Sequence, residues 1–219
     1  MPSVPRALVS LLYMAGPAFA AGGHHAVDDA ALMERGQCQF EAWADGYRGG
    51  QASWHLGPAC RVGAWELGVN IDRAGLPGEP AQRTFSPQGK WATDIAPAVS
   101  AGIVLTATWQ GGRYAGFQPL VPVTWQAHPQ VAVHVNAGRD IPHHAAGRNL
   151  AGAALEWTPQ SAWSFVAERF NDATGRAARV GARWQPHPSL SIDVSHARSF
   201  GDARGHWWTL GATYVIERK

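Results

Sequence analysis

The sequence predicts an all-β fold, a transmembrane antiparallel up-and-down β-barrel of about twelve strands, on three observations. Apolar and polar residues alternate with a period of two along nearly the whole chain after residue 36. The alternating runs are about ten residues long, the length that a tilted strand needs to cross a bilayer. Tryptophans recur at the ends of these runs, beside short proline-bearing turns. Helix gains no support, because glycine interrupts nearly every run and no i, i+3, i+4, i+7 apolar stripe persists.

The chain opens on "MPSVPRALVSLLYMAGPAFA", with one positive residue, Arg6, an apolar stretch from Ala7 to about Ala15, and Ala18-Phe19-Ala20 as a small-x-small cleavage site. Residues 1–20 are therefore expected to be a secretory signal peptide. Residues 21–36 are expected to be a periplasmic N-terminal segment, either a short plug or a tether in the barrel mouth. Residues 37–219 are expected to be the barrel. Within the segment, His24 and His25 lie near Asp28 and Asp29, and His143-His144 recur later. Adjacent histidines lack the i, i+2 or i, i+4 spacing that aims two imidazoles at one ion, so no metal and no cofactor are expected.

The first two strands carry the only cysteines, Cys38 and Cys60. If their hairpin turns at Gly49-Gly50, Cys38 faces Cys60, while Phe40, Ala42 and Ala44 face Pro58, Leu56 and Trp54. Export to an oxidising compartment would allow a structural disulfide there, pinning the first hairpin. Next, "AWELGVNID" sets Trp65, Leu67, Val69 and Ile71 against Glu66, Gly68, Asn70 and Asp72. "VSAGIVLTATWQ" sets Val99, Ala101, Ile103, Leu105, Ala107 and Trp109 against Ser100, Gly102, Thr106 and Gln110. "VAVHVNAGRD" and "RVGARWQ" repeat the pattern. Short connections are expected at Arg61–Gly63, Ile95–Ala98, Ala127–Gln130, Pro159–Ser161 and Pro186–Ser189. They alternate with longer ones at Gly46–Gln51, Ala74–Pro87, Gln110–Ala115, Ile141–Asn149, Asn171–Arg176 and Phe200–Gly205. That asymmetry is the layout of an outer-membrane barrel with both termini at the short-turn end.

Trp65, Trp91, Trp125, Trp157, Trp163 and Trp184 fall at the short-turn side, and Trp109, Trp54 and one of Trp207 or Trp208 near the other. Indole is amphipathic and settles at a membrane–water boundary, so these positions are expected to form aromatic girdles. A soluble sandwich or lipocalin-like barrel would show the same alternation with its apolar face turned inward.

The polar face supplies the candidate functional residues: Glu41, Glu66, Asp72, His134, Asp140, Glu156, Glu168, Arg179, Arg183 and Asp193, with Asn70 and Asn136 beside them. Acids next to arginines inside a narrow lumen would pair as hydrogen-bonded ladders, either selecting permeants or sealing the interior. Both faces of the Trp163–Phe170 run are half apolar, which leaves the face of Glu168 open. No catalytic residue is expected. His196 is the one candidate base on the apolar face near the loop end, and Ser195 and Ser199 point the other way. A net charge of +2 with 16% charged residues argues against a nucleic-acid partner.

Two segments resemble known proteins. Thr209-x-Gly211-x-x-Tyr214-x-Ile216 resembles the C-terminal signal that bacterial outer-membrane proteins offer to the barrel-insertion machinery, although that signal commonly ends on an aromatic residue. The segment from His24 with Asp28-Asp29, followed by Gly36-Gln37-Cys38-Gln39-Phe40-Glu41, loosely resembles the phenol-degradation-pathway (MetA-type) outer-membrane transporter family over about twenty residues. That resemblance implies a bacterial outer-membrane channel for hydrophobic or aromatic compounds. The expectation is thus a passive, porin-like channel for a small-molecule permeant, with outer-membrane lipids as its surroundings. The alternatives are a closed structural barrel of the envelope and, remotely, a lipid-face hydrolase.

Overall fold

The computed structural model describes residues 25–48, 50–75, 81–173, 175–200 and 205–217. The signal segment, 1–20, lies outside the described residues. The chain builds twelve strands: β1 (Gln37–Tyr47), β2 (Ala52–Val62), β3 (Trp65–Gly75), β4 (Gln82–Ala96), β5 (Val99–Gln110), β6 (Arg113–His128), β7 (Val131–Pro142), β8 (Arg148–Gln160), β9 (Trp163–Asp172), β10 (Gly175–His187), β11 (Leu190–Phe200) and β12 (His206–Glu217). Each pairs antiparallel with its neighbours in sequence, and β1 pairs with β12 from Gln37↔Glu217 to Tyr47↔Trp207, closing the barrel.

Alternation now has a direction. Leu210, Trp54 and Val180 are 63%, 61% and 59% exposed on the outer wall, whereas Asp193, Ser195 and Thr209 are 2%, 2% and 1% exposed inside. A soluble barrel would turn its apolar face inward. An apolar exterior around a polar interior is the arrangement that hydrocarbon stabilises and water does not.

At one end, two-residue turns at 63–64, 97–98, 129–130, 161–162 and 188–189 join the strands. The other end differs from expectation, because the strands run farther into it. The expected loop Gln110–Ala115 is a two-residue turn at Gly111-Gly112, whose φ values of 57° and 81° fall in the left-handed region that only glycine enters at no cost. Asn171–Arg176 shortens likewise, with β9 reaching Asp172 and β10 starting at Gly175. Within Ala74–Pro87, β4 already begins at Gln82 and pairs Phe85 with Trp109. Polar side chains leave the backbone free to pair, so composition marks the water boundary and not the end of the ladder.

Prolines inside strands leave gaps in the pairing. Beside Pro58 the β2–β3 ladder is interrupted between Leu56↔Ile71 and Ala59↔Gly68, and beside Pro87 the β4–β5 ladder is interrupted between Phe85↔Trp109 and Gln88↔Thr106, each resuming in the same register. A residue without an N–H has no donor to offer the ladder.

The first hairpin has the expected register, with Cys38↔Cys60, Phe40↔Pro58, Ala42↔Leu56 and Ala44↔Trp54. Cys38 and Cys60 form a disulfide on the outward face near the two-residue-turn end. A bridge spanning a sequence separation of 22 removes loop-closure entropy worth about 3 kcal/mol from the unfolded chain in the entropic model. The Cys38→Ala/Cys60→Ala protein should still close its barrel, because ten other hairpins and the β1–β12 seam remain. Its heat-induced unfolding, followed as the gel-mobility change of a folded barrel, should occur at a clearly lower temperature. An unchanged transition would show that the bridge is energetically silent.

Candidate functional site in the barrel lumen

Residues 25–34 have no strand partner and lie inside the barrel. A backbone placed there must find donors and acceptors on the wall, and the wall supplies them in sequence. Near the turn end, Met33 N–H donates to Glu66 Oε2 of β3 (3.2 Å). Farther in, Ala30 N–H donates to Thr124 Oγ1 of β6 (2.8 Å). The Asn136 amide of β7 exchanges two hydrogen bonds with the Asp28 backbone, its nitrogen donating to the carbonyl (2.8 Å) and its oxygen accepting from the N–H (2.6 Å). At mid-barrel, Ala26 and Val27 N–H donate to the two oxygens of Glu168 on β9 (3.2 and 3.0 Å).

Charge and packing complete the seat. Lys90 Nζ of β4 donates to both Asp28 Oδ1 and Asp29 Oδ1, each at 2.8 Å. Lys90 and Asp29 are both almost wholly buried, so neither charge is compensated by bulk water. Val27 sits in an apolar nest of Ala154, Phe170 and Ala177, flanked by Val166 and Trp207. Gly152 makes that approach feasible, since a Cβ there would lie 2.6 Å from Val27 Cγ2.

Two further networks line the wall. Arg183 and Asp193 form a bidentate pair, with Nε to Oδ1 at 2.7 Å and Nη2 to Oδ2 at 3.2 Å. His134 Nδ1 meets Thr124 Oγ1 at 2.9 Å and its Nε2 faces Glu156 Oε2 at 3.3 Å. Between these groups and His25, a cavity of about 10 Å³ remains, room for a single water. Toward the loop end, His55 bridges two carboxylates, Asp72 Oδ1 at 2.7 Å and Asp45 Oδ2 at 3.2 Å. Thr84 donates to Asp72 (2.6 Å) and Thr209 donates to Asp45. Trp43 stacks on His55 and Tyr47 stacks on Trp207. Arg179 pairs with Glu168 (3.1 Å) under the rings of Phe170 and Trp207.

All the candidate wall residues have lumen parity. Glu168, whose face the sequence left open, is the anchor of the N-terminal segment. Glu41 is buried beside Gly57 and Asn70, and Asp140 sits opposite Arg148 at the loop end. Trp65, Trp91, Trp125, Trp157, Trp163 and Trp184 all lie exposed on the outer wall toward the two-residue turns. Trp109 lies outward near the other end against Phe85 and Tyr114. Asp28 and Asp29 are taken up by Lys90, His24 lies outside the described residues, and His143 and His144 sit in a loop beside Tyr114. Outward-facing His196 meets Trp208 and His206, while Ser195 is buried in the lumen.

Sequence reasoning missed Lys90, Thr124, Asp45 and His55. Parity alone places Lys90 inside, because Trp91 beside it faces out. No local pattern, however, pairs it with carboxylates more than sixty positions away.

Solved structures share this fold. The KdgM porin superposes with a TM-score of 0.69 at 8% identity, over 80% of this chain and 98% of that one. The toluene transporter TbuX of Ralstonia pickettii gives 0.55 at 9% identity, over 87% and 92%. Outer membrane phospholipase A from Escherichia coli gives 0.53 at 8% identity, over 81% and 92%. Identities this low carry the architecture and not the activity. No curated protein matches the chain in sequence. The family described as "Uncharacterised conserved protein UCP029691" matches residues 8–216.

The seat of the N-terminal segment is open to test. Gly152→Val should expel Val27 and leave the barrel wall intact. A cysteine placed at Val27 in that background, with Cys38 and Cys60 replaced, should then react with a water-soluble maleimide at least about tenfold faster than in the Gly152 parent. Equal rates would mean that the segment does not depend on this nest.

Proposed function

The chain belongs to the UCP029691 family across nearly its whole length, and from that premise and the porin-like fold we propose that it is a passive outer-membrane channel for small solutes. The signal-like first twenty residues and the C-terminal strand, with Tyr214 and Ile216 in place, support export and insertion by the barrel machinery.

The observation that carries this reading is the acid excess of a polar lumen inside an apolar wall. Glu41, Asp45, Glu66, Asp72, Glu156, Glu168 and Asp193 face inward against Lys90, Arg179 and Arg183. Such a field repels anions and favours neutral or cationic permeants. The loop-end lumen adds the flat faces of Trp43, Tyr47 and Trp207. Together with the toluene transporter among the fold neighbours and the MetA-type resemblance of the N-terminal stretch, these rings favour small planar or aromatic solutes. On this reading residues 25–34 close the periplasmic half of the bore, and permeation requires the segment to shift.

The filled lower lumen favours a second reading, a closed structural barrel of the envelope. A lipid-face hydrolase has less support, since the surroundings of His196 are Trp208 and His206 rather than a serine.

Planar-bilayer recording of the refolded chain separates the first two. The parent should show small or rare conductance steps. Lys90→Met, which withdraws the cation between Asp28 and Asp29, should raise open probability or step size several-fold. It should also destabilise the seat by an amount of order 3 kcal/mol, typical of breaking a buried pair. Glu156→Lys in that open background should reduce the preference for cations. Inserted barrels that stay silent both as the parent and with Lys90→Met would overturn the channel and promote the structural barrel.

A further inference from the structure

Every aspartate and glutamate of the described strands has lumen parity, so the outer wall bears no carboxylate. It does bear arginines, and only toward the loop end: Arg73 on β3, Arg83 on β4, Arg139 on β7, Arg169 on β9, Arg176 on β10 and Arg198 on β11. All six are exposed, and each lies within the last or first few residues of its strand. Outward tryptophans stand toward both ends, Trp54, Trp109 and Trp208 among them at the loop end, but the described strands put no arginine on the outer wall at the turn end. A bilayer with two identical surfaces would give no reason for that asymmetry, because snorkelling arginines suit either interface. The two surfaces that this barrel meets must differ in charge.

The arrangement around β3 and β4 specifies the ligand further. Arg73 and Arg83 are directly opposite each other across the ladder, a like-charge pairing that costs stability unless an anion lies between them. Among the described residues no carboxylate pairs with either. Below them on the outer wall, Ile71, Phe85, Pro87 and Trp109 line a groove of about 660 Å³ with Arg83 at its rim. The gap in the ladder beside Pro87 lies along this groove. A largely apolar groove edged by Arg83, with Arg73 directly across the ladder from it, fits an acyl chain whose head carries phosphate. The belt uses arginine throughout, and arginine grips phosphate bidentately where lysine offers a point charge.

We propose that this belt binds the phosphorylated glycolipid of the outer leaflet, with one acyl chain in the Ile71–Trp109 groove and a phosphate held between Arg73 and Arg83. The assignment rests on the outer-membrane placement above, with the loop end outward, and not on conduction.

The test uses the full chain refolded in detergent, with binding titrated by native mass spectrometry. The probes are a bis-phosphorylated lipid A, its dephosphorylated form, phosphatidylglycerol and phosphatidylcholine. The parent should bind the bis-phosphorylated glycolipid at least about tenfold more tightly than the other three. Arg73→Gln/Arg83→Gln should lose most of that preference, Arg73→Lys/Arg83→Lys should lose part of it, and Arg61→Gln at the turn end should keep it. Should the first variant fail to show the heat-modifiable mobility of a folded barrel, Arg169→Gln/Arg198→Gln tests the opposite arc and should weaken binding in the same sense. Equal affinity for the phosphorylated and dephosphorylated glycolipids, equal affinity for phosphatidylglycerol, or folded variants that bind like the parent would overturn the belt. A chain that folds but does not insert into vesicles would overturn the membrane placement as well, whereas an inserted barrel indifferent to phosphate sinks the belt alone.

Discussion

A strand in hydrocarbon has no water to satisfy its backbone, so every N–H and C=O must find a partner in the sheet itself, and only a closed sheet offers one to all of them. The β1–β12 seam, continuous from Gln37↔Glu217 to Tyr47↔Trp207, is where that condition is met. Closure then divides space into an outside and an inside. The outside is lipid and accepts Trp, Leu and Val. The inside is small, shielded and polar, and its charged groups must settle accounts among themselves.

Much of the interior follows from that confinement. Arg183 with Asp193, Arg179 with Glu168 and His55 between Asp45 and Asp72 are pairings between neighbouring strands, which the register makes geometrically cheap. The remaining wall groups, Lys90, Glu66, Thr124 and Asn136, point to a centre that the wall alone does not fill. Residues 25–34 fill it and bring two carboxylates and a row of backbone donors to these side chains. The chain thus uses its own N-terminal segment, residues 25–34, as the substance of its lumen, and the same contacts that stabilise the segment restrict the bore.

The exterior obeys a complementary rule. With every carboxylate of the described strands turned inward, none of these strand acids competes for the loop-end arginines, which are left to meet the surrounding lipid. Tryptophan at both rims with outward arginine at only one makes the barrel asymmetric along its axis as well as across its wall.

Period-two alternation, turn chemistry and strand length are local properties, and by themselves they determined the strand number, the register of the first hairpin, the Cys38–Cys60 pairing and the parity of Glu41, Arg183 and Asp193. Alternation by itself is symmetric between the two faces of a strand. It was strand length, turn asymmetry and tryptophans at strand ends that pointed to an apolar exterior, whereas the half-apolar faces of the Trp163–Phe170 run left open the side on which Glu168 lies. Local patterns also overestimated the loops, because polar residues at Asn171 and Arg176 remain paired beyond the apolar band. Only the tertiary structure decided that Glu168 faces inward, that residues 25–34 thread the lumen, and that Lys90 meets Asp28 and Asp29 from 62 and 61 positions away. The physical reason is closure: contacts across a barrel's interior join residues that share neither a strand nor a hairpin, and no period in the chain records them.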